Sequence, residues 1–302
     1  MVATRAGYAA LLGRPNVGKS TLMNRLLGQK ISITAPKPQT TRHVVLGIQT
    51  LPNVQIVYVD TPGLHRQDPR ALNRYLNRAA ASVLGYVDVV VFLIEALRWT
   101  KEDQDAMQRL STFTGPVILA VNKTDRITAK PRLLPFLQQQ AQQRAFSEIV
   151  PLSALKGDQV ATLEQAIARC LPVGEFLFPA EQVTTASERF LAAELIREKL
   201  TRLLHAELPY ALTVEIERFV VEERLTRIHA LIWVERASQK GIVIGEKGAT
   251  LREVGRQARQ DLEQLLGRPV FLETWVKVRS GWSDDERALR SLGYAEPDSF
   301  SR

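Results

Sequence analysis

Short apolar runs mark the first half of the chain at residues 8–12, 54–60, 87–94, 117–122 and 149–153, and their length and β-branched content predict strands. Segments with apolar residues at helical spacing lie between most of them. Strands alternating with helices predict a mainly parallel sheet covered on both faces, with functional loops at the carboxyl ends of the strands. The longest apolar run, residues 87–97, is interrupted by Asp88 and Glu95. It is far shorter than the roughly 20 residues a membrane-spanning helix needs, so it reads as a buried strand.

Beyond residue 171 the rhythm changes. Residues 172–187, with Pro172, Gly174, Pro179 and several Thr and Ser residues, predict a linker that ends at Ser187, a suitable N-cap. The order is then helix, strand, strand, helix, helix, strand. A helix is expected over 187–205, and Ile228, Ala230, Ile232 and Val234 alternate with His229, Leu231, Trp233 and Glu235 along a strand. Leu251, Val254, Ala258, Leu262 and Leu265 make the apolar face of another helix. The last strand sets Val270, Leu272, Thr274, Val276 and Val278 on one side, and Trp233 and Trp275 are expected to pack against the partner helix. The expected fold is an α/β domain over residues 1–172, a linker and first helix over 173–200, a small α+β domain over 201–281 and a tail over 282–302.

Composition agrees with two domains: 302 residues with 45% apolar content can fill two cores. The single cysteine, Cys170, cannot form an internal disulfide, and neither end reads as a secretory signal, which points to the reducing cytosol. Cys170 reads as a core residue rather than a nucleophile. A formal charge of +8 suggests an acidic partner, but residues 1–175 carry 21 Lys/Arg against 12 Asp/Glu whereas residues 201–285 carry 13 of each. In the second half the excess is local, with Arg236, Lys240, Lys247, Arg252, Arg256 and Arg259 against Glu246 and Glu253.

The chemistry lies at the predicted strand ends. Gly13-Arg14-Pro15-Asn16-Val17-Gly18-Lys19-Ser20, followed by Thr21, fits the phosphate-binding P-loop between a strand and a helix. Its backbone N–H groups can face phosphates, Lys19 can reach the β- and γ-phosphates, and Ser20 can ligate Mg²⁺. Asp60-Thr61-Pro62-Gly63, with Leu64 after it, places a carboxylate where it can hold Mg²⁺ through water. Asn122-Lys123-Thr124-Asp125 ends another strand, and Asp125 can accept from the N1 and N2 hydrogens of guanine, which adenine cannot supply. Ser153-Ala154 follows the fifth run and is suited to offer a backbone N–H to guanine O6. In the loop Gln39-Thr40-Thr41-Arg42 a threonine hydroxyl can complete the Mg²⁺ shell; Thr41 is favoured, with Thr40 close behind.

Ile244-Gly245-Glu246-Lys247-Gly248 lies between two helical segments in the element order of a type II KH domain. Its glycines let a nucleic-acid backbone approach, with Lys240, Lys247 and Arg252 around the acidic Glu246. Together these runs, with residues 211–219 and 277–294, resemble the translation-factor-related GTPases and, within them, the Era-type ribosome-assembly family. The resemblance covers almost the whole chain. It implies a P-loop G domain with a mainly parallel sheet followed by a small α+β KH (type II) domain. It further implies GTP hydrolysis with Mg²⁺, binding of the single-stranded 3′ end of small-subunit ribosomal RNA in the assembling 30S subunit, and some peripheral association with the cytoplasmic face of the membrane.

Two alternatives belong to other classes: an RNA-binding chaperone that uses nucleotide as a structural ligand, and a modification enzyme with a GTPase module, although no cofactor motif stands outside the P-loop domain. Leu64 also occupies the place where Ras-like proteins carry the glutamine that orients water. Asn16 resembles the asparagine that, in some GTPases, helps hold K⁺ beside the phosphates, which would make Lys19, Asn16 and Thr41 the catalytic set. The competing use of Asn16 is a hydrogen bond to its own loop.

Overall fold

Backbone hydrogen bonding joins the expected strands, with one addition, into a six-stranded sheet. In this computed structural model, which describes residues 3–37, 39–63 and 70–294, the first domain runs β1 (Arg5–Leu12), α1 (Lys19–Leu27), β2 (Val45–Leu51), β3 (Val54–Asp60) and α2 (Ala71–Ser82). It continues with β4 (Val89–Glu95), α3 (Lys101–Arg109), β5 (Val117–Asn122), α4 (Leu133–Ala141), β6 (Glu148–Pro151) and α5 (Val160–Cys170). The strand order is β2-β3-β1-β4-β5-β6, parallel except for β2.

The sequence pattern did not predict β2. Gly47 interrupts its weak alternation, and it forms as the outer arm of a hairpin in which Leu51 pairs with Val54 across Pro52-Asn53. Strand β6 ends at Pro151, so Ser153 and Ala154 lie in the loop beyond it. One sheet face packs Leu11, Ile56 and Val91 against Leu22, Met23 and Leu163, and the other packs Leu12, Val57 and Phe92 against Ala106 and Leu110. Cys170 is half-buried against the first of these cores, and burial raises its thiol pKa, which suits a packing residue.

Residues 172–187 do not hang free. The Gln55 amide oxygen Oε1 accepts from the N–H groups of Leu177 and Phe178, and Val183 O accepts from Ile48 N. The Ser187 hydroxyl then accepts from Phe190 N at 3.2 Å, the expected cap. The second domain follows with α6 (Glu188–Leu203), β7 (Leu212–Val221), β8 (Thr226–Val234), α7 (Ala237–Ile244), α8 (Ala249–Leu266) and β9 (Val270–Val278). Its sheet, β7-β8-β9, is antiparallel then parallel.

One face of this sheet packs Ile228, Ala230, Ile232 and Val276 on Leu195, Val254, Ala258 and Leu262. Trp233 and Trp275 belong to the opposite face, which corrects the expectation that they pack on a helix. The Trp233 indole N–H donates to Glu215 at 2.8 Å, and Trp275 is exposed beside His229. The two-residue strand period decides this: both sit out of phase with the helix-facing residues. Val278, on the same side of the strand as Val276, is exposed at the strand's end.

The tail packs back onto the first domain as α9 (Glu286–Ser291) and flanking residues. Trp282, Leu289 and Tyr294 join Leu72, Tyr75 and Leu76 of α2 in one cluster, and Asp284 Oδ1 accepts from Ala71 N, capping α2 from far along the chain. Residues 30–43 run between the domains as a strap. Glu198 of α6, whose side chain is wholly buried, accepts from Lys30 Nζ, Thr34 N and Thr34 Oγ1. The Arg197 guanidinium pairs with both oxygens of Glu194 and donates to Thr40 O. Arg42, 0% exposed, donates to Leu212 O at 2.8 Å, Pro209 O at 2.9 Å, Tyr210 O and Tyr294 Oη at 3.3 Å.

Replacing Arg42 by alanine removes the donors from four buried acceptors at once, and we expect a loss of about 3 kcal/mol or more in urea unfolding. Arg42→Lys should recover little, because an ammonium cannot reproduce the planar fork. A loss below about 1 kcal/mol would mean that water takes over these bonds.

Candidate nucleotide and nucleic-acid sites

The loop between β1 and α1 surrounds a cavity of about 430 Å³ lined by Asn16, Gly18, Lys19, Ser20 and Thr21 on one side and Asn122, Lys123, Asp125 and Ala154 on another. Gly18 caps α1 at φ 105, and a Cβ there would stand 2.3 Å from Asn122 Nδ2, so the close approach of the two loops requires glycine. Asn122 binds three loops together. Its Nδ2 donates to Val17 O at 2.7 Å while its Oδ1 accepts from Lys123 N and Ala154 N. Asn122 therefore acts as a clamp within the protein.

Lys19 is buried, and its Nζ donates to Gly13 O at 3.1 Å and Arg14 O at 3.2 Å. Burial lowers its pKa to about 8 against the pull of Asp60. A buried ammonium held on two carbonyls is matched to an incoming polyanion. Some residues of the motif do not face the cavity. Val17 is wholly buried in the core with only its carbonyl engaged, Thr61 Oγ1 donates to Leu11 O, and Arg14 turns away to Glu95 and Asp103. Gly63 sits against Pro15, while Leu64 lies outside the described residues, as does Pro38 of the strap.

Ser20 Oγ, Thr41 Oγ1 and Asp60 converge: Ser20 donates to Asp60 Oδ2 at 2.7 Å, Thr41 lies 2.8 Å from Ser20 Oγ and 3.4 Å from Asp60 Oδ2. Thr40 is excluded from this set, because its hydroxyl donates to Lys37 O at 2.6 Å. Asp60 Oδ1 is buried without a partner among the described residues, and burial raises the carboxyl pKa despite Lys19 and the hydroxyls. Two hydroxyls around a buried carboxylate make a set of three hard oxygen groups that fits Mg²⁺, and Ser20, Thr41 and Asp60 can hold it.

At the base end Ser153 Oγ donates to Asp125 Oδ1 at 2.5 Å, fixing a carboxylate that is otherwise exposed at the cavity. The expected backbone donors are placed differently. Ser153 N–H goes to Asp158 O and Ala154 N–H to Asn122 Oδ1, so neither points freely at a base; the next residue, Leu155, lines the cavity. Asn16 has φ 62, a conformation asparagine tolerates, and among the described residues its exposed side chain makes no hydrogen bond to the loop. The pattern gave no hint that Thr34, Lys37 and Arg202 also line the cavity, since Arg202 belongs to α6 and arrives only through domain packing. Arg202 donates to Thr34 O at 2.9 Å and Thr34 Oγ1 at 2.8 Å.

The second site lies where α7 meets α8. Gly245 at φ 75, Lys247 at φ 47 and Gly248 at φ 79 make a tight turn that ends in the N-terminus of α8. A Cβ on Gly245 would stand 2.2 Å from Thr250 Oγ1, whereas Gly248 faces open space. Lys240, Glu246, Lys247 and Arg252 are exposed around the turn, and Ile244 packs partly on the core. From it a groove of about 520 Å³ runs between α8 and β9, lined by Leu251, Arg252, Gly255, Arg259, Phe271 and Thr274. Gly255 is the signal the sequence reading passed over. A mid-helix glycine costs about 1 kcal/mol relative to alanine, and no atom within 4 Å of its Cβ position forces it here, so it leaves the groove floor open.

With this geometry in view, a family model described as 50S ribosome-binding GTPase matches residues 8–123, and one described as KH domain matches residues 207–283. The chain is 57% identical over 292 residues to GTPase Era of Azotobacter vinelandii and 56% identical over 293 residues to that of Pseudomonas aeruginosa, covering 97% of this chain in both and 97% and 96% of the relatives. Two solved structures superpose with TM-score 0.94 at 40% identity, covering 97% of this chain and at least 99% of theirs. One is an Aquifex aeolicus Era variant bound to GDP and AlF₄⁻, and the other is Era in complex with MgGDPNP and nucleotides 1506–1542 of 16S ribosomal RNA.

If Asp125 reads the base, Asp125→Asn should weaken guanosine triphosphate by about 100-fold or more and admit xanthosine triphosphate, because an amide donates where xanthine offers a carbonyl. Competition binding with both nucleotides checks this, and an unchanged preference would remove Asp125 from base recognition.

Proposed function

The chain belongs to the Era family of GTPases, and on that premise we propose that its GTP cycle switches its hold on the single-stranded 3′ end of small-subunit ribosomal RNA in the assembling 30S particle. It is a GTP phosphohydrolase with a KH domain that binds ribosomal RNA. The observation that carries the switch is α6. Through Arg197, Glu198 and Arg202 it grips the strap that brings Thr41 to Ser20 and Asp60, and through Lys199 it pairs with Asp261 of α8 at 2.5 Å. One rigid helix thus touches both the cavity wall and the helix that borders the groove.

In this reading, guanine is taken by Asp125 and the phosphates by Lys19 and the loop N–H groups. Mg²⁺, held by Ser20, Thr41 and Asp60, supplies charge neutralisation at the phosphates. Thr41 couples the site to the strap. While its hydroxyl is engaged, residues 30–43 stay seated on α6, and release of the γ-phosphate removes that engagement and frees the strap. RNA lies in the groove between α8 and β9, its backbone passing Gly245 and Gly248, with Arg252 and Arg259 neutralising phosphates. The excess positive charge of residues 1–175 supports a peripheral contact with anionic lipid at the cytoplasmic face of the membrane, and no helix among the described residues is long and apolar enough to cross it.

Gly248→Asp places a carboxylate where RNA phosphates must pass, in a conformation that disfavours a side chain. It should reduce binding of a 16S 3′-end oligonucleotide at least about 10-fold while leaving GTP affinity unchanged. Equal loss of both would mean that the variant misfolds or that the two ligands share a site.

Asn16 supports a role for K⁺ in hydrolysis, since its side chain is exposed at the phosphate loop and is not used by the loop itself. An amide oxygen there can help hold a monovalent cation that offsets the charge developing between the β- and γ-phosphates. Turnover should be faster in K⁺ than in Na⁺ at matched ionic strength, and Asn16→Ala should abolish most of the difference. Equal wild-type rates in both salts, with and without 30S subunits, would exclude this role.

A further inference from the structure

Glu95, the last residue of β4, receives cations from two different loops of the nucleotide site. Its Oε2 accepts from Arg14 Nη2 at 2.8 Å and lies 3.1 Å from Lys123 Nζ, with the Glu95 and Lys123 side chains 17% and 19% exposed. Arg14 belongs to the phosphate loop and Lys123 to the base loop. The two cations do not depend on Glu95 equally. Arg14 has a second carboxylate, Asp103 Oδ2 at 3.2 Å, itself fixed by the Thr100 cap of α3, whereas Glu95 is the one carboxylate paired with Lys123 among the described residues.

Lys123 has φ 66, a conformation costly for a residue with a side chain, so it persists only while its contacts hold it. Those contacts are its N–H on Asn122 Oδ1, its carbonyl, which accepts from Arg126 N at 3.0 Å, and its ammonium on Glu95, the one that reaches across to the phosphate loop's partner. Burial pushes the Glu95 carboxyl up, but hydrogen bonds from Arg14 and Lys123 outweigh it and hold the group ionised. Lys123 lines the cavity next to Asp125.

We propose that Glu95 is a positioning residue for guanine: by anchoring the Lys123 ammonium beside the phosphate loop, it lays the lysine stem along the cavity wall and sets the base loop at its distance from the phosphates. This rests on the nucleotide reading above. A plainer role, counter-charge for Arg14, Lys123 and the more distant Arg98 at 3.9 Å, predicts the opposite direction. The ligand is a polyanion, so removing a nearby negative charge would by Coulomb attraction alone tighten its binding.

Glu95→Gln keeps the shape and removes the charge. Binding of GDP should weaken roughly ten-fold, the scale of one lost hydrogen bond between charged groups. Inorganic pyrophosphate should bind as in the wild type, because Arg14 keeps Asp103, and kcat at saturating GTP should not change while KM rises. On a Lys123→Met background the same exchange should cost nothing more, since Glu95 acts through that lysine. Glu95→Asp keeps the charge but shortens the reach. It should lose GDP affinity as Gln does, which also covers the case in which the Gln variant fails to fold. Tighter GDP binding by Glu95→Gln, wild-type affinity in Glu95→Asp, equal losses of GDP and pyrophosphate, or additivity with Lys123→Met would each overturn the proposal. Wild-type preference for GDP over ADP, measured in the same assay, tests the nucleotide reading separately.

Discussion

A charged side chain enclosed in protein must find its hydrogen bonds there, and Arg42 finds its bonds on the far domain. Three backbone carbonyls and one phenol hydroxyl converge on a guanidinium with no exposed surface, one residue from the threonine that reaches Ser20 and Asp60. The seating of the second domain and the course of residues 30–43 are therefore one problem. If the strap moves, Arg42 leaves a set of buried acceptors unsatisfied, and if the second domain moves, the strap loses its seat. Arg197 with Glu194, and Glu198 with Lys30 and Thr34, repeat this logic along α6. Such pairs are weak contributors to net stability, because desolvation offsets attraction, but they specify geometry sharply.

The tail extends that geometry to α2. His43 stacks on Tyr294 at 4.6 Å, and Tyr75 meets the same tyrosine edge-on at 5.7 Å. Burial lowers the His43 pKa to about 4, with Arg197 and Arg42 adding to the effect and Glu194 opposing it, so the ring is neutral near pH 7 and can stack without a counter-ion. Asp284 accepts from the first N–H of α2, where Arg70 at the N-cap position offers no side-chain cap bond. Residues far apart in sequence thus fix the two segments that flank the γ-phosphate end of the cavity. The contacts that seat the tail and the strap on α2 and α6 also set the walls of the cavity.

Inside the first domain the loops are held by fewer, shorter-range devices. Asn122 joins the phosphate, base and Ser153 loops with three hydrogen bonds, and Gly18 makes room for it. Parallel strands place all of these loops at one edge of the sheet, so a modest number of bonds suffices to assemble the pocket.

The sequence by itself determined the elements whose chemistry is local. Apolar period gave the parallel strands and the helices, glycine and lysine spacing gave the phosphate loop, and the element order around Gly245 and Gly248 identified the KH turn. Tertiary structure decided what depends on residues distant in the chain. It chose Thr41 over Thr40, because only the fold shows which hydroxyl reaches Ser20 and Asp60. It assigned the Ala154 N–H to Asn122, brought Arg202 to the cavity, folded the tail onto α2 and added β2 as a hairpin arm. It also turned Trp233 and Trp275 to the open face, since strand phase is set by pairing. Local propensity and motif spacing act over a few residues, whereas these choices follow from burial and hydrogen-bond satisfaction between segments as many as 252 positions apart, which one-dimensional pattern does not encode.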